Sequence, residues 1–240
     1  MTPRLVIATR NAHKVGEIRA LLGDRFEYRT PRDFPSSPEA AETGATFEEN
    51  ARLKSESLAH WLLHNVPESA APLAPWFVLA DDSGLEVDAL DGAPGVQSAR
   101  FASPEFALDG NAPDGANNAK LLRLLADTPE DRRTARFRCV LALTRVGAVD
   151  RAPGIPPSNP TPESASVPDV VRDTRFFSGA CEGRMAFVPR GSHGFGYDPL
   201  FIPEGFTESL AQLGDDIKNR ISHRSHALQA LLVHLDPAAV

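Results

Sequence analysis

Two short runs of consecutive apolar residues, LVIA at 5–8 and FVLA at 77–80, constrain the fold of this chain more than any other feature. A strand with one wet face alternates apolar and polar side chains. An unbroken apolar run bounded by polar residues reads instead as a strand covered on both faces. After the first run comes the polar stretch Thr9–Lys14, then Val15, Ile18, Leu21 and Leu22 at helical spacing. The order is strand, polar loop, helix. A capping box, Thr46-x-x-Glu49, opens a second helix whose Phe47, Ala51, Lys54, Leu58 and Trp61 share one face. Further on, the pattern predicts a helix over Asn118–Asp127 and an alternating strand through Phe137, Cys139, Leu141 and Leu143. Strand character resumes over Phe176–Phe187. Two helices follow, one over 207–217 behind Thr207 and one over 223–235 behind Ser222. Strands alternating with helices give an α/β class with a mixed sheet.

Residues 152–168 contain six prolines and almost no large apolar side chain, which reads as an exposed insertion between two strands. The expectation is one domain over 1–240 carrying that insertion. A formal net charge of −7 argues against nucleic acid or an anionic membrane surface as a partner. No apolar run reaches the ~18 residues of a spanning helix, and the start, MTPRLVIATRN, lacks the core of a signal peptide. A cytoplasmic protein is therefore expected. Cys139 and Cys181 make neither a disulfide framework nor zinc-ligand spacing. Of 25 basic residues only Lys14, Lys54, Lys120 and Lys218 are lysine. Lysine offers a compact, flexible charge where arginine offers a rigid fork, so a retained lysine is informative.

Four segments could carry chemistry. Thr9, Arg10, Asn11, Ala12, His13 and Lys14 lie between a buried strand and a helix start, where unpaired N–H groups and the helix dipole favour an anion. An ordinary strand-to-helix turn capped by Asn11 has the same appearance. Asp81-Asp82-Ser83-Gly84 would stand at the C-terminal end of a buried strand, where ligands of α/β sheets bind. Carboxylates there, with substrate phosphates, are a usual Mg²⁺ ligand set, although an acidic turn would look alike. Gly191–Pro199 places three glycines around Phe195 and Tyr197, a loop able to present flat rings to a nucleobase or simply a glycine-rich hairpin. Lys218, His223 and Arg224 cluster at the last helix, and positive charge in its first turn opposes the dipole. His223 and Arg224 would there offer only donors, suited to a 6-oxo purine or a phosphate, although ordinary surface charges would look alike.

Taken in order, LVIATRNAHKVGEIRALL, ETGATFEENARLKS, LADDSGLEVDALDGAPGVQSARFA, ARFRCVLAL, GSHGFGYDPLF and KNRISHRSHAL resemble the inosine triphosphate pyrophosphatase family from residue 5 to about 232. The resemblance implies a long twisted mixed sheet flanked by helices, a homodimer, and Mg²⁺-dependent hydrolysis of the α–β phosphoanhydride. ITP, dITP and XTP would yield the monophosphate and pyrophosphate. It implies that Thr9, Arg10, Asn11, Ala12, His13 and Lys14 grip the triphosphate. Asp82 would be the catalytic acidic residue, binding Mg²⁺ or orienting the attacking water, and Ser83 would touch substrate. Phe195, Gly196, Tyr197, Asp198, Lys218, His223 and Arg224 would hold the base and phosphates. Three departures stand out. Arg10 replaces a common glycine, Ala41-Glu42-Thr43-Gly44 leaves Glu42 as the one second acidic metal ligand, and the 152–168 segment is longer than usual. A pyrophosphatase of other base preference, or a nucleotide-binding module without turnover, are the alternatives.

Overall fold

The structure, a computed structural model, describes residues 2–70, 75–108, 110–147 and 173–235. The proline-rich 152–168 segment lies outside the described residues. Six strands form one mixed sheet in the order β2-β1-β3-β4-β5-β6. Strand β1 (Arg4–Ile7) runs parallel to both β2 (Glu27–Arg29) and β3 (Trp76–Val87). The remaining neighbours, β3 with β4 (Thr134–Val146), β4 with β5 (Thr174–Met185) and β5 with β6 (Phe201–Pro203), are antiparallel. The mixed α/β class read from the sequence is the class found.

Side-chain alternation sorts the core by face. Leu5, Ile7, Leu79, Cys139, Leu141 and Leu143 point to one side, under helices α1 (Ala12–Leu22) and α6 (His223–Leu235). Val6, Trp76, Val78 and Val146 point to the other, under α2 (Phe47–Asn65), and Val140 and Ala142 do likewise beneath its first turns. Covered faces explain the unbroken apolar runs. The Thr46–Glu49 capping box closes as expected, each side chain bonding the other's backbone N–H.

Three elements depart from their predicted bounds. Helix α3 spans Asp114–Leu124, starting four residues before the expected Asn118, because Pro113 supplies a start compatible with its fixed φ. The expected 207–217 helix is two helices, α4 (Leu210–Leu213) and α5 (Asp215–Ile221), parted by Gly214 at φ +76°. That left-handed backbone is open to glycine and breaks the helical path. Ser209, not Thr207, forms the cap, in a capping box with Gln212. Strand β5 begins and ends two residues earlier than read. The Ser222 cap holds, its hydroxyl accepting from the Ser225 N–H at 3.2 Å.

Candidate active site

The acidic pair is not at a strand end. Strand β3 continues to Val87, so Asp81 and Asp82 sit mid-strand, paired opposite Leu141 and Val140 of β4. The expectation fails on that point yet keeps its consequence, because the parallel partner β1 stops at Ile7, opposite Leu79. Beyond that stop the aspartates face the loop leading into α1.

Being consecutive, they leave opposite faces of the sheet. Asp81 goes to the α1/α6 side. Its Oδ2 accepts from Arg224 Nε at 2.8 Å and from the Cys139 thiol at 3.2 Å. Its Oδ1 accepts from Ser83 at 2.9 Å and from Lys14. Burial pushes this carboxyl up, but the Arg224 and Lys14 charges outweigh it and hold it well below the ordinary range. Asp81 is thus a fixed anion with its acceptors engaged. Asp82 goes to the α2 side, where Oδ1 accepts from Lys54 Nζ at 2.6 Å. Its Oδ2 is buried and, among the described residues, has no partner. Burial raises this carboxyl and Lys54 offsets only part of that, leaving it above its ordinary value. Lys54 also pairs with Glu42 Oε1 at 2.7 Å, and Arg100 pairs with Glu42 Oε2 at 2.7 Å.

From Asp81 a chain of alternating charge crosses the molecule. Arg224, fully buried, bonds Asp81, Ser83 (3.0 Å) and Glu17, and Glu17 also pairs with Lys218 at 2.9 Å. Lys218 in turn meets Asp198 Oδ2 at 2.7 Å. That same Asp198 oxygen accepts the Phe195 N–H at 2.9 Å. Lys218 lies 4.5 Å from the Phe195 ring centre, a cation over a π face. Burial pushes the Lys218 ammonium down, and Asp198 and Glu17 more than restore it.

Two cavities of about 230 and 160 Å³ flank the aspartates and share Asn11, Lys14, Ser83, Ala99 and Asn111. The larger is polar and is lined by Thr9, Arg10, Glu42, Lys54 and Asp82 among others. The smaller carries Phe137, Phe195, Gly196, Tyr197, Asp198, Lys218, His223 and Arg224. Nearly every predicted residue thus borders one cleft. Ala12 and His13 do not line it: Ala12 begins α1, and the His13 ring stacks on Phe195 at 5.4 Å. Nor are the amides of the helix start all unpaired, because Asn11 Oδ1 accepts from His13 N and Lys14 N. Tyr197 is no stacking platform. It is buried in the core with its hydroxyl donating to Ser98 O at 2.9 Å.

His223 also differs from expectation. Burial and the neighbouring Arg224 charge drive its imidazole well below 6.5, so it is neutral and offers one acceptor besides its donor. It stacks on Phe137 at 4.8 Å, and Nδ1 is buried with no partner among the described residues. Arg224 is heavily committed to carboxylates rather than presented as a free base reader. Sequence reasoning did not place Lys54 and Glu17 in the site. Lys54 carried a signal, as one of four lysines and on the inward face of a helix. Glu17 carried none that separates it from a solvated glutamate.

Comparison with known proteins places the whole chain in one family. The family model described as "Ham1 family" matches residues 5–234. A dITP/XTP pyrophosphatase of Exiguobacterium sibiricum is 44% identical over 229 residues, covering 95% of this chain and 94% of that one. One from Nitratidesulfovibrio vulgaris is 43% identical over 229 residues, covering 95% and 93%. Among solved structures, a Ham1 protein from Staphylococcus aureus superposes with a TM-score of 0.71 at 34% identity, covering 98% of each chain.

Proposed function

The chain belongs to the Ham1 family, and from that premise we infer that it is a nucleoside triphosphate pyrophosphatase acting on dITP, ITP and XTP. Water adds to phosphorus, the α–β phosphoanhydride breaks, and the products are the nucleoside monophosphate and pyrophosphate. Such a reaction clears non-standard purines from the nucleotide pool, which the reading places in the cytoplasm. Among the described residues no helix is long and apolar enough to cross a membrane.

The carrying observation is Asp82, which lines a polar cavity that Arg10, Lys14 and Lys54 also border: one of its oxygens is anchored on Lys54 and the other is buried and, among the described residues, unpaired. Leaving a carboxylate oxygen unpaired is costly unless something meets it in the working state. Mg²⁺ fits that position, since it commonly takes one or two carboxylates and fills its remaining positions with substrate phosphates and water. Asp82 Oδ2 would hold it, with Glu42 as the second carboxylate, and the bound ion would neutralise charge on the phosphate oxygens. The rest falls to the chain itself. Lys54 fixes the Asp82 rotamer. Lys14, Arg10, Thr9 and Asn11 border the cavity where the phosphates would lie, with Lys14 placed there by Asp81. The smaller cavity receives the base, Phe195 giving it a flat face and His223 and Lys218 polar contacts. We further propose a homodimer, which sedimentation equilibrium would show as twice the chain mass.

The decisive assay is pyrophosphate release from dITP, ITP, XTP, ATP, GTP and modified pyrimidine triphosphates, with and without Mg²⁺. The reading requires Mg²⁺-dependent turnover of the first three well above ATP and GTP. Binding without release would mark a nucleotide-binding module, and preference for a pyrimidine would mark a different base selectivity.

A further inference from the structure

The loop bearing Phe195 is gripped by a helix, α3. Helix α3 presents Asp114 and Asn118, four residues apart and so one above the other on a helical surface. Asp114 Oδ2 accepts the Gly196 N–H at 2.7 Å, and Asn118 Nδ2 donates to the Gly196 carbonyl at 3.0 Å. Both backbone polar groups of Gly196 are therefore held by one helix. Gly196 has φ +62°, and the chain parts there: Phe195 borders the smaller cavity while Tyr197 dives into the core. Left-handed glycines at 191, 194 and 196 give this loop wide conformational freedom. Asp198 fixes the Phe195 N–H and Ser98 fixes the Tyr197 hydroxyl, but Gly196 between them is held by α3.

We propose that Asp114 and Asn118 are positioning residues for base recognition, clamping Gly196 so that the Phe195 ring is set before substrate arrives. Asn118 lines neither cavity and Asp114 borders only the smaller one, away from the polar cavity where the phosphates would lie, so they act on base affinity and not on the chemical step. Losing uniform binding raises KM and leaves kcat in place. The proposal rests on the pyrophosphatase reading and goes beyond it, since that reading assigns α3 nothing.

The test compares Asp114→Ala, Asn118→Ala and Asp114→Asn with the wild type, using XTP as substrate and inorganic tripolyphosphate as a base-less competitor. Each alanine variant should raise KM about tenfold, the loss of one well-made hydrogen bond to a charged or amide partner. In both, kcat should stay within about twofold and the inhibition constant of tripolyphosphate should not move. Asp114→Asn keeps an acceptor for the Gly196 N–H and should behave as wild type. Amide hydrogen exchange over residues 191–199, read without any nucleotide, should quicken in the alanine variants and not in Asp114→Asn. The clamp is refuted if KM stays within twofold in both alanine variants, if tripolyphosphate inhibition weakens equally, or if Asp114→Asn fails like Asp114→Ala. Absence of XTP turnover in the wild type would instead refute the parent reading, and the exchange measurement would still decide the clamp.

Discussion

Asp81 and Asp82 are chemically identical and adjacent, yet the pleat sends them into environments that ask opposite things of them. Asp82 lines the cavity and keeps one buried oxygen without a partner among the described residues, so removing its charge removes function and little packing. Asp82→Asn should fold normally, with a melting temperature within a few degrees of wild type. Turnover of XTP should fall by at least about a hundredfold, the scale of a lost base or metal ligand; a variant retaining a tenth of wild-type turnover would remove Asp82 from the reaction. Asp81 is a buried counter-ion for Arg224 and Lys14. Asp81→Asn leaves the buried Arg224 and the half-buried Lys14 without it, and breaking such a buried pair costs about 3–5 kcal/mol. Urea unfolding should show that loss, and a change under about 1 kcal/mol would contradict the arrangement.

At the scale of elements, α2 is the arm that brings Lys54 to Asp82, and its first turn is secured by a reciprocal cap. Thr46→Ala removes the hydroxyl that accepts from Glu49 N, a change worth about 0.5–2 kcal/mol of stability. Lys54 lies two turns further on, so kcat of the folded fraction should be unchanged while the denaturation midpoint drops. A proportional fall in kcat at low temperature, where the variant remains folded, would mean that the cap also sets the Glu42 loop. That loop is tight: a side chain at Gly44 would come within 2.7 Å of Glu49 Cβ and 2.8 Å of Asn50 Oδ1.

For the whole molecule, the network of buried charge makes stability depend on pH through groups of opposite sign. His223 is kept neutral by burial and by Arg224, whereas in the unfolded chain its imidazole takes a proton below about 6.5. The unfolded state then binds more protons, so stability falls as pH drops from 6.5 toward the depressed folded value, by at most about 1.4 kcal/mol per pH unit. Asp82, raised by burial, acts the other way just above 3.8, where the folded state keeps its proton longer. The difference between wild type and His223→Gln isolates the imidazole: the wild type should lose more stability between pH 6.5 and 5, and parallel curves would show that His223 is not held neutral. The connection between β4 and β5 allows a second test. Thr144 pairs with Thr174 across the two strands, so their ends are already adjacent. Removing 152–168 and closing with a short Gly/Ser turn costs little closure entropy, about 0.6 kcal/mol per doubling of loop length. Activity should stay within a few-fold. Its loss in a folded deletion variant would give the segment a role in function.

The sequence by itself determined what depends on local pattern: the covered strands, the α1 and α2 starts, the Thr46–Glu49 capping box, and the α/β class. It also marked most of the cleft, because residues such as Asp82, Lys14 and Phe195 stand beside breaks in apolar periodicity or at glycines. Tertiary structure alone decided which of these groups meet. Asp81 and Arg224 are 143 positions apart, and Arg224 and Glu17 are 207 apart. No periodicity reports such separations, since a side chain's charge partner depends on which elements pack together rather than on its neighbours in the chain. The same holds for Tyr197, which reads as a stacking ring and is core, and for His223, which reads as a cationic donor and is neutral. Burial decided both, and burial is a property of the assembled sheet and its helices.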